Sequence, residues 1–396
     1  MRVFLQFLVC VVLGLGVLNC KTDNSKNTVQ KPEAEVAIDT AKVRKEINAD
    51  LKTQQIKAVI DHKIAQGFNG NVLIAQKGII LYENSHGFAN FEDTVRLTKD
   101  SKFQLASLSK TFTAVAAMKL VEDGLIGLDN EVKDYFPCFP YSGVTIRSLL
   151  DHRSGLPYYQ YEFDKKVRSE NKYPTNQEMM SWFCSAVPTP KALNLPDHNF
   201  TYNNTNFAVL AAIVEKVSGK SFDVYLREKV LVPGGMNETF ALSTTDSSIN
   251  VNRTYGYQYG RRLQKDFYDN IVGDKGIFST SHDLLKWYNV LKSEKVLSKE
   301  SLREMYTPRS FEHPGLRNYG YGFRLWVNEH QQTEFIYHTG WWKGYNTIMF
   351  FDLRQDFVII LLSNRYNKGV YNLKEIVDIL QGNNKSSSLE ENILDQ

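Results

Sequence analysis

Ser107 and Lys110 stand three residues apart in the stretch Gln104-Leu-Ala-Ser-Leu-Ser-Lys-Thr-Phe-Thr-Ala-Val-Ala-Ala-Met-Lys-Leu-Val-Glu122. On a helix that spacing puts both side chains on one face. Lys110 is the only ionisable residue between Phe103 and Lys119. A lysine in such surroundings is partly desolvated and suited to take a proton from a neighbouring hydroxyl, which turns the serine into a nucleophile. Ser-x-x-Lys is a weak pattern alone. It recurs as Ser169-Glu-Asn-Lys172, in a charged stretch with no apolar helical face. Tyr-x-Asn, at Tyr202–Asn204 and again at Tyr82–Asn84 and Tyr268–Asn270, and His-x-Gly, at His338–Gly340 and again at His313–Gly315, are weak patterns too.

The elements that must position these groups can be read from periodicity. Leu108, Phe112, Val115, Ala116, Met118 and Val121 recur at helical spacing, and Gly124 stops the helix. Ser107 is expected at its N-cap or first turn, at the positive end of the helix dipole. Before it come a helix at about 42–66 and two strand-like runs, 71–75 and 79–83. Gln76-Lys-Gly78 between the runs reads as a hairpin turn. The middle of the chain is helical, at 145–152, 176–185, 206–218 and 221–230, with proline-containing loops between. Gly273-Asp-Lys-Gly-Ile-Phe-Ser-Thr280 leads into a helix over 281–292, with Ser279 or Ser281 as its cap. Strands follow at 319–327, 334–338, 345–351 and 357–362, then an amphipathic helix over 370–380.

Strands at both ends around a helical middle imply one sheet assembled from distant parts of the chain. The expected organisation is a signal peptide at 1–19 and a flexible tether at 20–41. An α/β (α+β) sheet domain is expected from 42–123 and 272–382, with an inserted, mostly helical domain at 124–271 and a polar tail at 383–396. The apolar run from Phe7 to Leu18 follows Arg2 and is short for a membrane span, as a signal segment should be. Val17-Leu-Asn-Cys20 resembles a bacterial lipobox, with Asn19 in place of the usual small residue. Cys20 is therefore the expected lipidation site, and the location is extracytoplasmic, in the periplasm or cell envelope, with the membrane as a partner through the lipid. Cys138 and Cys184 suit either a disulfide or two buried thiols.

Composition narrows the rest. The chain has 396 residues, 42% hydrophobic and 23% charged, with a net charge of +3. That balance, without a Lys/Arg stripe, gives no argument for nucleic acid. There is no His-Glu-x-x-His, no zinc spacing and no Gly-x-Ser-x-Gly elbow, so the chemistry calls for no metal and no cofactor. His152, in a Ser/Gly/Pro loop, reads as a turn element and not a second base.

The order Ser107-Leu-Ser-Lys110, Tyr202-Asn-Asn204, His338-Thr-Gly340 resembles the serine β-lactamase and penicillin-binding superfamily. Within it the likeness is to the class C β-lactamase-like branch with D-alanyl-D-alanine carboxypeptidases and esterases. Leu149–Pro157, Leu210–Gly219 and Gly273–Leu285 carry it too, and it covers roughly Ile56 to Leu380. The resemblance implies a β-lactamase/transpeptidase-like fold: an antiparallel sheet flanked by helices. It implies Ser107 as acylated nucleophile, Lys110 as its activator, Tyr202 as general base or acid and Asn204 as partner of Lys110 and of the substrate amide. His338, Thr339 and Gly340 would line the substrate, and the backbone N–H groups of Ser107 and Trp341 would form the oxyanion hole. The expected substrates are small molecules or peptides with amide or ester bonds, D-alanyl peptides or β-lactams among them. Lactamases of this branch carry lysine where His338 stands, which tilts the expectation toward peptidase or esterase. A carboxylesterase of the same fold and a non-catalytic penicillin-binding or scaffolding lipoprotein are the alternatives. Loss of Ser107, Lys110, Tyr202 or Asn204 would have favoured the last. Trp342, Lys343, Tyr158, Tyr159 and Tyr161 are candidates to line the cleft.

Overall fold

The computed structural model describes residues 39–163, 173–242, 251–312, 315 and 317–382. The signal segment, nearly all of the tether, the second Ser-x-x-Lys and the polar tail lie outside them.

The sheet is antiparallel and seven-stranded. Its strands are β1 (Gly70–Gln76), β2 (Ile79–His86), β3 (Arg317–Tyr319), β4 (Arg324–Val327), β5 (Thr333–Trp342), β6 (Tyr345–Asp352) and β7 (Phe357–Ser363). The spatial order β3-β4-β5-β6-β7-β1-β2 confirms a sheet built from both ends of the chain. The seam is the β1–β7 ladder, from Gly70 opposite Ser363 to Gln76 opposite Phe357.

The central strands are buried on both faces, which explains their continuous apolar runs. Alternate residues go to opposite layers. Val72, Ile74, Ile359 and Leu361 face one core with Ile56, Ile60, Ile376 and Leu380. Those partners sit on α1 (Ala49–Ala65) and on α5 (Lys374–Gln381), near the two ends of the described chain. Leu73, Ile360 and Leu362 face the other core with α2 (Ser109–Glu122), α3 (Asn204–Ser218) and α4 (Ser281–Leu291). The helical middle shares this second core with the sheet. Cys138 and Cys184, both in the helical middle, are disulfide-bonded with Cα atoms 5.1 Å apart.

Several boundaries differ from the sequence reading. The first helix is two, Thr40–Glu46 and α1, broken where Asn48 takes a left-handed φ of 54°. The strand expected over 319–327 is likewise two, β3 and β4. The cap of α4 is Thr280, whose hydroxyl accepts from the Asp283 N–H, and not Ser279 or Ser281. The last helix starts at Lys374, after a short 3₁₀ turn over Lys368–Tyr371.

Candidate active site

Ser107 is not the cap of α2. It lies in a 3₁₀ turn, Ala106–Leu108, that feeds the helix, and the N-cap position belongs to Leu108 without a side-chain cap. Ala106 has φ 51°. A left-handed residue with a side chain costs about 1–2 kcal/mol, so strain sits immediately before the serine. Helix α2 behind it is buried from Ser109 through Met118. This is why its sequence is apolar nearly all round. Phe112 stacks on Trp287 of α4 at 4.1 Å, and the Trp287 Nε1–H donates to Thr111 Oγ1 at 3.2 Å.

Lys110 is fully buried. Its ammonium donates to Ser107 Oγ (3.0 Å), Asn204 Oδ1 (2.8 Å) and the Asp274 carbonyl (2.8 Å). An ammonium has three donors, and all three are used. Asn204 is the first residue of α3. Asn203 caps that helix by accepting from the Thr205 N–H, and its amide ties the turn to the Leu156 carbonyl at 2.6 Å. The sequence reading began α3 two residues late because a run of asparagines hides the cap.

Tyr202 precedes this cap and completes the group. Lys110 Nζ lies 5.1 Å and Arg324 Cζ 4.6 Å from its ring centroid. Burial pushes its phenol up, but the charges of Lys110 and Arg324 outweigh this. With Ser107 and Lys110 beside the oxygen, the phenol is held below its ordinary range. Among the described residues none completes a hydrogen bond to the hydroxyl, which is buried. The Ser107 oxygen accepts from Lys110, so the serine proton is left to donate, with the Tyr202 hydroxyl beside it.

His152 confirms its reading as a turn element and does more. It has φ 61°, and its Nδ1 accepts from the Asn203 N–H at 3.2 Å. Its ring lies 4.3 Å from that of Tyr202. His338 is 1% exposed on β5. Its Nδ1 donates to the Thr339 carbonyl at 2.7 Å, and Nε2 meets the Tyr319 hydroxyl at 3.2 Å. Burial first, then the cations Arg324 and Lys110, hold both imidazoles well below the usual histidine range. Both are therefore neutral near pH 7. Arg324 went unnoticed in the sequence. It stands opposite Tyr337 in the β4–β5 ladder, next to His338, and no motif marks it.

Strand β5 presents an open edge here. Its pairing with β4 stops at Tyr337, so among the described strands the segment from His338 to Trp342 is paired with β6 alone. Gly340 on this edge lies against the Leu105–Ala106 backbone that leads to the serine. Beyond it a cleft of about 630 Å³ is lined by Tyr158, Tyr161, Tyr202, Asn204, Tyr268, Trp341 and Trp342, among others. Trp341 is 60% exposed, and its ring forms part of the wall. Tyr159 is not in the cleft. It is fully buried, with its hydroxyl bonded to Asp274 Oδ2 and Lys275 Nζ. Lys343 sits in the β5–β6 turn, paired with Asp266 at 2.7 Å, and lines a neighbouring cavity instead. Among the described residues, no group of three or more His, Cys, Asp or Glu is placed to hold a metal ion.

Residues 56–383 match the Beta-lactamase family model. The chain belongs to the β-lactamase family. It is 34% identical over 312 residues to penicillin-binding protein 4* of Bacillus subtilis, covering 75% of this chain and 68% of that protein. Among solved structures it resembles a penicillin-binding protein from Bacillus halodurans, with TM-score 0.69 and 25% identity. That likeness covers 81% of this chain and 98% of the other. It also resembles the octameric penicillin-binding protein homologue from Pyrococcus abyssi, with TM-score 0.71 and 26% identity over 83% and 77% of the two chains. The β-lactamase-family fold expected from the three motifs is thereby shown.

The electrostatics of Tyr202 yield a pH prediction for this family member. A phenol held below its ordinary value ionises at lower pH, so a rate that needs the phenolate rises with pH and levels off earlier than an ordinary tyrosine would allow. Removing a cation must raise that pKa. Arg324→Gln is expected to move the acid limb of kcat/KM to higher pH, by roughly one unit. Neither His152 nor His338 should add an inflection near 6.5. A pH–rate profile that Arg324→Gln leaves in place would refute this account of Tyr202.

Proposed function

We propose that the protein is a serine hydrolase that forms an acyl-enzyme on Ser107 and releases it with water, acting on amide or ester bonds. The observation that carries this is the Lys110 ammonium, bonded at once to Ser107 Oγ and Asn204 Oδ1 with Tyr202 against it. Tyr202 takes the serine proton as Oγ attacks the acyl carbon. The Ser107 and Trp341 N–H groups receive the developing oxyanion, each such donor contributing about 3 kcal/mol in the transition state. Tyr202 returns the proton to the leaving group and then activates water for deacylation. Thr339 and Gly340 on the open β5 edge would line the substrate.

The neutral, enclosed His338 supports peptidase or esterase over dedicated β-lactamase, because a fixed cation suits a β-lactam carboxylate better than a neutral imidazole. Carboxylesterase is the second reading, favoured by the aromatic cleft wall at Tyr158, Tyr161 and Trp341. Intact-mass spectrometry after incubation with a penicillin, p-nitrophenyl acetate and a D-alanyl-D-alanine peptide in turn tests the proposal. A stable or transient mass increase on Ser107 supports it. No adduct and no turnover with any of the three overturns it in favour of a non-catalytic scaffold.

The proposed place of action is outside the cytoplasmic membrane, anchored through lipid on Cys20, on the strength of Val17-Leu-Asn-Cys20. Cys20→Ser is expected to shift the protein from the membrane to the soluble fraction. Retention in the membrane fraction would contradict a lipid anchor.

A further inference from the structure

Of the three groups that hold the Lys110 ammonium, the Asp274 carbonyl has no chemistry of its own. It nonetheless sits in the most elaborate polar cluster near the site. The peptide between Asp274 and Lys275 carries that carbonyl, and the side chains on both sides of it fold back to one hydroxyl. The Tyr159 O–H donates to Asp274 Oδ2 at 3.0 Å, and Lys275 Nζ donates to the Tyr159 oxygen at 2.8 Å. Lys275 Nζ also donates to the Ile271 carbonyl at 3.1 Å and lies 3.4 Å from both Asp274 oxygens. Tyr159, Asp274 and Lys275 are 0%, 1% and 3% exposed.

The segment is fixed at its start as well. Gly273 has φ 99°, and a Cβ there would stand 2.5 Å from the Phe207 carbonyl, so the backbone is pressed onto α3. The Gly273 carbonyl accepts from Thr113 Oγ1 at 2.8 Å. Thr113 is three residues beyond Lys110 and shares its face of α2. The loop thus grips α2 at Lys110 and at Thr113 and leans on α3, the helix that begins with Asn204.

A buried ion pair gives little net stability, since desolvation offsets its attraction. Stability alone therefore does not account for a charge pair buried here. We propose that Tyr159, Asp274 and Lys275 are positioning residues for Lys110. By clamping the 274–275 peptide they fix the carbonyl that takes one N–H of the ammonium. This leaves the other two directed at Ser107 and Asn204. Lys110 is then held against both the nucleophile and the Tyr202 ring. The inference rests on the acyl-enzyme reading of Ser107.

The test is Tyr159→Phe, which removes one oxygen and keeps the ring. The expected result is a fall in kcat on the order of 10- to 100-fold, the cost of misplacing a catalytic group by about 1 Å, with KM nearly unchanged. The acid limb of the pH profile should also move to higher pH. A displaced Lys110 no longer lowers the Tyr202 phenol as far, while Arg324, His152, His338 and Tyr319 around it stay in place. The paired variant Asp274→Asn/Lys275→Met covers the case in which Tyr159→Phe fails to fold. It removes both charges together and is expected to fold and to show the same kcat loss and pH shift. Tyr159→Ala with the same kinetics as Tyr159→Phe would place the effect in the hydroxyl and not the ring. A folded variant with wild-type kcat and profile overturns the proposal, as does a lowered Tm with kinetics untouched, which marks a purely structural role. Measuring Ser107→Ala alongside separates the two readings. If it is dead while Tyr159→Phe is normal, only the positioning role fails. If it is active, the acyl-enzyme reading fails.

Discussion

Ser107→Ala is expected to lower kcat/KM for an ester substrate by roughly 10⁴- to 10⁶-fold and to abolish the acyl adduct by intact mass, with the circular dichroism spectrum unchanged. The serine hydroxyl accepts from Lys110 and lies beside the Tyr202 hydroxyl, and neither contact holds the backbone, so its removal should leave the turn and α2 intact. What remains would come from binding and the oxyanion donors alone. Lys110→Ala is expected to lose about as much activity. Its ammonium is the atom shared by Ser107, Asn204 and Asp274, so removing it disconnects all three. It also leaves buried acceptors unpaired, at about 1–3 kcal/mol each, so a lower Tm should accompany this loss and not the first.

Groups that act as one unit are not additive. Tyr202 owes its lowered pKa to the charges around it, Lys110 foremost. Once Lys110 is gone, Tyr202→Phe should cost less than about 10-fold more. Ser169→Ala, in the other Ser-x-x-Lys, should leave kinetics as they are. Near wild-type activity in a folded Ser107→Ala variant would refute the mechanism. Full activity in Lys110→Ala would keep the nucleophile and reject its activation.

The parts of this arrangement that sequence revealed are those governed by local periodicity. Ser107 and Lys110 are three apart across a 3₁₀ turn and the start of α2, and a helix buried from Ser109 through Met118 writes itself as an apolar run broken only by what must be polar. Strands β1, β6 and β7 were legible for the same reason, being short apolar runs between turns. Tyr202 and Asn204 carry no such signal. Their assignment rested on order along the chain, and the structure supplies the physical link in the bond from Lys110 to Asn204.

What stayed hidden depends on contacts far apart in the chain. Tyr159 looked like one more cleft tyrosine beside Tyr158 and Tyr161. Its hydroxyl finds Asp274 and Lys275, and a tyrosine whose hydroxyl is satisfied can be buried whole. Arg324 reads as an ordinary strand residue until the β4–β5 register sets it beside His338. Thr280 stood in a run of three hydroxyl residues, and only the bond to the Asp283 N–H distinguishes the cap.

Gly340→Ala is expected to be strongly disruptive although it alters no catalytic side chain. A Cβ there would stand 2.1 Å from the Leu105 carbonyl oxygen, 2.3 Å from Thr347 Oγ1 and 3.2 Å from Ala106 Cβ. The first of these is backbone and is already held, because Thr347 Oγ1 donates to it at 2.6 Å. The Gly340 carbonyl is held from the other side by the Tyr371 hydroxyl, also at 2.6 Å. Neither surface can yield without moving either the turn that carries Ser107 or the strand that carries Trp341. Those are the two backbones proposed for the oxyanion hole, and separating them would weaken both donors at once. Loss of kcat of at least about 100-fold is expected, with acylation slowed in single-turnover measurements. Overpacking should lower stability by about 1–3 kcal/mol, which thermal unfolding would register as a reduced Tm in a protein that still folds. Thr347→Ala/Gly340→Ala removes one of the two close contacts and should recover part of the stability, but not the rate, because the Leu105 carbonyl still meets the new methyl. Recovery of the rate in that double variant, or wild-type acylation in Gly340→Ala alone, would show that the approach of β5 to the nucleophile turn does not set the geometry of the reaction.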